Sequence, residues 1–282
     1  MARHYMHSEP TSRLAIWARR MAGFAFVASF LAVIIVRSGL LEIRPALATF
    51  AGALAIAVIA LLLALAAFVV IWMEGLAGMG AALAAMAISL ALLAYPAYLG
   101  LKAYRLPWIY DITTDPIDPP RFEALARLRV RDANPTTYAG LYAAEQQRAA
   151  YPDVGPLGTN ATVQAAYDAA LAVVNKRRWR IVDARAPQAG RREGRIEAVA
   201  RTPIMGFRDD VVIRVRAETH GVRIDARSAS RYGSFDFGTN AARVRGLMND
   251  IEDAIRAQKP ERPPPTQQPA KKSTGKKDQP KR

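Results

Sequence analysis

Two long runs without an ionisable side chain limit this chain more than any other feature. Residues 46–73 and 76–101 contain no Asp, Glu, Lys or Arg. Each run is long enough to cross a hydrocarbon core of ~30 Å as a helix. A helix at the surface of a water-soluble core keeps a polar face, and these keep none. A third run, residues 21–36, reaches spanning length when Leu14, Ile16 and Trp17 are added, although Arg19 and Arg20 interrupt that extension. Three transmembrane helices are therefore expected, over about residues 14–36, 46–73 and 76–101, within a membrane domain of residues 21–101 preceded by a basic segment of residues 1–20.

Glu74-Gly75 leaves almost no chain between the second and third spans, which predicts an antiparallel helical hairpin. The third span opens with small residues four apart (Gly78 and Ala82, Gly80 and Ala84, Ala81 and Ala85). Such a stripe lets helix backbones approach closely in lipid, although an alanine-rich composition alone produces the same pattern. Arg19-Arg20 and Ala46-Leu47-Ala48 loosely resemble a secretory signal and its cleavage site. Arg37, Glu42 and Arg44 intervene, so cleavage is not expected. Arg13, Arg19 and Arg20 crowd the start of the first span, with Arg3 further back, and favour a cytoplasmic N-terminus. Three crossings then put residues 102–282 outside the cytoplasm, as in a bacterial inner-membrane protein with an extracytoplasmic domain. Arg37, Arg44, Lys102 and Arg105 oppose this orientation, so the dominance of the first helix decides it.

The remaining chain carries the chemistry. Residues 102–158 read as a mostly irregular connector, because Asp115-Pro116-Ile117-Asp118-Pro119-Pro120 cannot sustain a helix. Short helices are expected over residues 122–130 and 138–149. Residues 159–257 read as a two-layer α+β domain. Val163, Tyr167, Ala170, Leu171 and Val174 share one helical face. A short strand is expected over residues 179–184, and three more over residues 195–201, 210–218 and 222–227, where apolar positions alternate with mostly charged ones. Val244, Leu247, Met248, Ile251 and Ile255 mark a last helix, with Asn240 as its expected cap. Helix, four antiparallel strands, helix predicts both helices on one sheet face, with the Arg/Asp-rich face shown to solvent or a partner. Residues 258–282 hold eight basic side chains against Glu261 and Asp278, with six prolines and no core-forming residue, and are expected to be disordered.

There is no Cys, which excludes disulfides, thiolate metal sites and cysteine nucleophiles. His4, His7 and His220 have no partner at metal-ligand spacing, and no phosphate-binding glycine loop, dinucleotide fingerprint or nucleophile elbow occurs. No metal or cofactor is expected. A formal charge of +15 raises nucleic acid as a partner. Much of it lies in the tail, however, and no aromatic platform with basic flanks is present, so nucleic acid is not expected. The expected partners are the lipid bilayer, an anionic lipid or envelope polyanion attracted by the tail, and an unidentified protein.

The densest polar constellation contains Asp209, Asp210, Asp225, Arg227, Ser228, Ser230, Arg231, Asp236, Asn240 and Arg243. Arg227, Arg231 and Arg243 suit an anion pocket, because guanidinium binds carboxylate or phosphate bidentately, and Asp209 or Asp210 would then serve as a base. The simpler reading is that these Arg and Asp pair across strands and pin the loop before the last helix. A two-residue turn at His220-Gly221 would set Glu218 opposite Arg223, Arg216 opposite Asp225 and Asp210 opposite Arg231. It would also leave Arg214 facing Arg227, the expected anion-binding point. A four-residue turn would instead pair Arg214 with Asp225 and Arg216 with Arg223.

Ile196-Glu197-Ala198, the run from Gly206 to Arg214, Asp225-Ala226-Arg227-Ser228-Ala229-Ser230-Arg231 and Gly238-Thr239-Asn240-Ala241-Ala242-Arg243 together resemble the bacterial and plastid domain-of-unknown-function family 1499. Asp111-Ile112-Thr113-Thr114-Asp115, Pro119-Pro120 and Phe122 resemble the segment leading into that domain, so the likeness spans about residues 110–256. Tyr232 departs from it, since members more often carry a small aliphatic residue there. The resemblance implies a membrane-attached or exported domain and supplies no activity. The favoured reading is a membrane-anchored, non-catalytic extracytoplasmic binding or envelope-interaction module. The alternative is a hydrolase or transferase using Asp209/Asp210 with the Arg cluster.

Overall fold

The computed structural model describes residues 10–39, 43–188 and 193–258. Its first three helices are α1 (Arg13–Ser38), α2 (Ile43–Glu74) and α3 (Met79–Arg105), each long and apolar enough to span a bilayer. The chain is a membrane protein. What the helices bury explains how they pack. On α1 the buried positions are Ala15, Ala18, Ala22, Ala25, Ser29, Ala32 and Val36, and on α2 they are Ala46, Ala53, Ala57, Ala60, Ala64, Ala67 and Ile71. The α1 set, and the α2 set from Ala53 onward, follow alternating steps of three and four, so a seam of small side chains closes in coiled-coil fashion. Phe24, Phe26, Phe30, Leu62 and Trp72 point outward. The expected small-residue stripe of the third span is narrower, with Ala82, Ala85 and Ser89 buried.

Nine shorter elements and a last helix follow as β1 (Asp111–Thr113), α4 (Ala124–Leu128), α5 (Leu141–Ala150), β2 (Leu157–Thr159), α6 (Val163–Lys176), β3 (Arg180–Arg185), β4 (Glu193–Arg201), β5 (Arg208–Glu218), β6 (Gly221–Ser230) and α7 (Thr239–Gln258). The expected helix–four strands–helix unit is present. All pairings in the sheet are antiparallel, in the order β1-β6-β5-β4-β3, and β2 shares the outer edge of β6 with β1. Residues 102–158 are thus more than a connector: they contribute β1, β2, α4 and α5. Three-residue strands leave almost no alternation to read, which is why the sequence hides them.

One sheet face buries Ile196, Ala198, Val211, Ile213, Val215 and Ile224 against α6 and α7. Thr162 starts α6, its Oγ1 accepting from Ala165 N–H at 3.1 Å. The expected Asn240 cap is corrected. Asp236 Oδ2 accepts from Asn240 N–H at 2.8 Å, and the Asn240 side chain is turned to Tyr110 and Ser230. The other face, expected to meet solvent or a partner, is covered by the chain itself. Phe122 and Leu125 close over Val199, Val212 and Ala229 there.

The domain stands on the end of the bundle where α1 finishes. Arg37 Nη1 donates to the carbonyls of Pro203 and Ile204 at 2.6 and 3.0 Å. Gly206, at φ +70°, lies so close that a Cβ there would meet Arg37 Cγ at 2.9 Å. The tail of residues 259–282, expected to be disordered, lies outside the described residues.

Candidate functional site

Side chains alternate across a strand, so neighbours in sequence face opposite ways. The ten predicted site residues therefore divide between two faces of the sheet. On the helix face six of them form one network. Asn240 Oδ1 accepts from Ser228 Oγ at 2.7 Å, and Asn240 Nδ2 donates to Ser230 Oγ at 2.9 Å. Arg243 donates to Ser228 Oγ at 3.0 Å and to Asp209 Oδ2 at 2.6 Å. Asp236 closes the group, with Oδ1 and Oδ2 accepting from the N–H of Gly238 and Asn240. Burial pushes the Asp236 carboxyl above its ordinary value and Asp209 adds repulsion, against the pull of those two N–H groups.

The opposite face carries the other four. Asp210 is bound by Arg231 and Arg129, each at 2.7 Å. Arg227, buried at 1% exposure, is held by Asp111: Nε to Oδ1 at 2.9 Å and Nη2 to Oδ2 at 2.6 Å. Arg227 also donates to the carbonyls of Pro120 and Thr136 and stacks over Phe122. Arg214 reaches Asp225 at 3.0 Å and Asp118 at 2.9 Å. Arg223 reaches Asp115 at 2.8 Å and Asp225 at 3.0 Å. Despite a desolvation penalty, Arg214 and Arg216 hold the Asp118 carboxyl below its ordinary value.

The hairpin register differs from the favoured expectation. Glu218 pairs with Gly221, so the turn is Thr219-His220; Arg214 then faces Asp225, Arg216 faces Arg223, and Asp210 faces Ala229. Arg231 still reaches Asp210, diagonally. The two registers differ by two residues, which leaves every side chain on its own face, so the apolar pattern is blind to the choice. The third chain segment decides instead. Asp115 and Asp118 satisfy the Arg216–Arg223 contact, and Gly221 (φ +107°) lies against β2, where a Cβ would come within 2.5 Å of Thr159 O. Arg214 and Arg227 are not neighbours in this register, and each has its own acid.

Sequence reasoning gave no site role to Asp111, Asp115, Asp118, Arg129 or Glu197. The signal was the acid spacing of Asp111, Asp115 and Asp118 in a proline-rich stretch opposite an arginine-rich sheet face. A family described as Protein of unknown function (DUF1499) matches residues 111–251, half of the chain. The chain belongs to this family. No match to it is found among curated proteins. The DUF1499 match opens at β1, so the segment carrying Asp111, Asp115 and Asp118 is inside the matched unit.

A cavity of about 340 Å³ lies where the DUF1499 domain meets the spans. Leu47, Tyr95 and Leu99 line it from the membrane side, and Ile204, Phe207 and Phe235 from the domain side, with Asp209 and Asp236 also at its wall. Trp108 stacks on Phe235 at 5.3 Å between ring centres. Tyr95, Tyr98 and Tyr104 are exposed toward the end of α3, so aromatic rings gather where the spans meet the domain, a residue type favoured at membrane–water boundaries.

Proposed function

We propose that this protein is a membrane-anchored, non-catalytic binding module whose DUF1499 domain stands outside the cytoplasm and takes an amphiphilic ligand at the bilayer surface. The cavity at the junction of spans and domain carries the reading. Its apolar wall comes from both parts, beside the rings of Tyr95 and Phe235, while the buried polar network of Asp209, Asp236 and Arg243 closes its domain end. Apolar pockets with a few convergent polar groups are the usual form of a small-ligand site. The catalytic alternative loses its base, because Asp209 and Asp210 face opposite sides of the sheet and each is held by arginine. Asp236 has both oxygens taken by backbone N–H groups.

Two measurements test this. Full-length protein released from detergent into a mass spectrometer is expected to retain one amphiphile-sized adduct, and Leu99→Trp with Ile204→Trp, which fill the cavity, should lose it. An adduct unaffected by the two tryptophans would refute the cavity. Orientation is read separately, because the chain has no Cys. Leu141→Cys, at an exposed position on α5, should react with an impermeant thiol reagent in intact spheroplasts. Labelling only after lysis would reverse the topology.

A further inference from the structure

Like charges directly opposite on neighbouring strands cost energy unless an opposite charge bridges them. The observed register sets four pairs of arginines opposite each other. Arg185 and Arg195 share Glu123. Arg195 and Arg214 are held by Glu123 and Asp118. Arg216 and Arg223 share Asp115 and Asp225. Arg201 and Arg208 form the fourth pair, and among the described residues neither makes an ion pair. Arg231 extends the row across β6, its N–H donating to the Arg208 carbonyl, while its own charge is spent on Asp210.

This row lines a groove of about 410 Å³ that Arg177, Arg178 and Arg180 complete. Arg177 is bound to Asp250. Arg178, held at φ +55°, and Arg180 are exposed and make no ion pair among the described residues. Four guanidinium groups without a carboxylate thus converge on one groove, in a sheet that otherwise neutralises its arginines. The groove also lies beside the membrane. Arg201 Nη1 donates at 3.1 Å to the carbonyl of Arg37 in the last turn of α1, and the Arg208 guanidinium packs against Gly39 just beyond it.

We propose that the groove is a phosphate site for the headgroup of an anionic phospholipid in the leaflet where α1 ends. Arg201 and Arg208 grip the phosphate oxygens, which match the planar guanidinium fork. Arg178 and Arg180 favour a headgroup of net negative charge over a zwitterion. The site shares no lining residue with the junction cavity and does not depend on it.

The test uses the full chain in a nonionic detergent, titrated with phosphatidylglycerol, phosphatidylcholine or inorganic pyrophosphate while thermal unfolding is followed by tryptophan fluorescence. Phosphatidylglycerol is expected to raise the melting temperature, phosphatidylcholine to leave it unchanged, and added salt to shrink the rise. Arg201→Gln with Arg208→Gln should weaken the apparent affinity about tenfold or more, and Arg185→Gln, at the far end of β3, should not. Equal responses to the two lipids, or a double variant that binds phosphatidylglycerol as tightly as the parent, would overturn the proposal. Pyrophosphate matching phosphatidylglycerol would make the ligand a soluble phosphate and overturn the lipid assignment. Should the double variant fail to fold, Arg178→Gln with Arg180→Gln, both exposed, must still lose phosphatidylglycerol discrimination; full retention there, or a salt-independent response, would overturn the site.

Discussion

Replacing Arg227 by Met is expected to destabilise the protein by about 3–5 kcal/mol, the cost of stranding one partner of a buried ion pair. Arg227 spends its guanidinium on both oxygens of Asp111 and on the carbonyls of Pro120 and Thr136, and its plane lies over Phe122. Methionine fills much of the volume and none of the hydrogen bonds. Burial already pushes the Asp111 carboxyl up and Arg227 opposes that shift, so without Arg227 the acid is left either charged and unpaired or driven neutral. Arg227→Lys should not rescue, because one ammonium cannot supply a fork to Asp111 and reach two carbonyls. Arg227→Met combined with Asp111→Leu should recover part of the loss, since removing both charges removes the stranded one. Thermal unfolding in detergent reads this as a fall on the order of 10 °C for the single variant. A melting temperature unchanged in Arg227→Met would mean that the pair does not fasten the segment of residues 102–136 to the sheet.

Glu197→Ala is expected to cost about 3 kcal/mol through a different device. Glu197 is fully buried on β4, and its carboxylate accepts from three successive backbone donors: Glu123 and Ala124 on Oε1 at 2.9 and 3.2 Å, Leu125 on Oε2 at 2.8 Å. These are the orphan N–H groups at the start of α4, which has no side-chain cap of its own. A sheet residue thus caps a helix more than seventy positions earlier in sequence. Alanine leaves the donors dry and unpaired. Glu197→Gln keeps the shape but turns an NH₂ group toward N–H donors, and should fall between the parent and alanine. Limited proteolysis separates this loss from global unfolding: cleavage within residues 121–136 should quicken first. Equal protection of that segment in parent and Glu197→Ala would refute the capping role.

These two residues mark how far the sequence could be read. The alternation of β4, β5 and β6 and the apolar stripes of α6 and α7 were legible, because each follows from local periodicity against one core. The resemblance placed the domain boundary near residue 110, and the family match begins at residue 111. The site was less legible. Asp209 and Asp210 sit side by side in sequence, yet the pleat sends one to Arg243 and the other to Arg231 and Arg129. Ser228 and Arg227 part in the same way. The charge-pairing rule chose the wrong register because it counted only two strands, whereas Asp115 and Asp118 arrive from a third segment and make the arginine contacts of the observed register tolerable.

By itself, the sequence determined that three uncharged or nearly uncharged runs are long and apolar enough to span a bilayer, since a helix at the surface of a water-soluble core keeps a polar face. It also determined that an α+β domain follows, since period-two and period-3.6 patterns survive in any context that buries one face. Only the tertiary structure decided that residues 102–158 add β1 and β2 to the sheet, that the arginine-rich face is sealed from within, and that Arg201 and Arg208 make no ion pair among the described residues. The reason is one of range. Periodicity records which side of an element is buried, a local property, whereas hydrogen-bond and ion-pair partners 72 to 116 positions apart are chosen by the fold that brings them together.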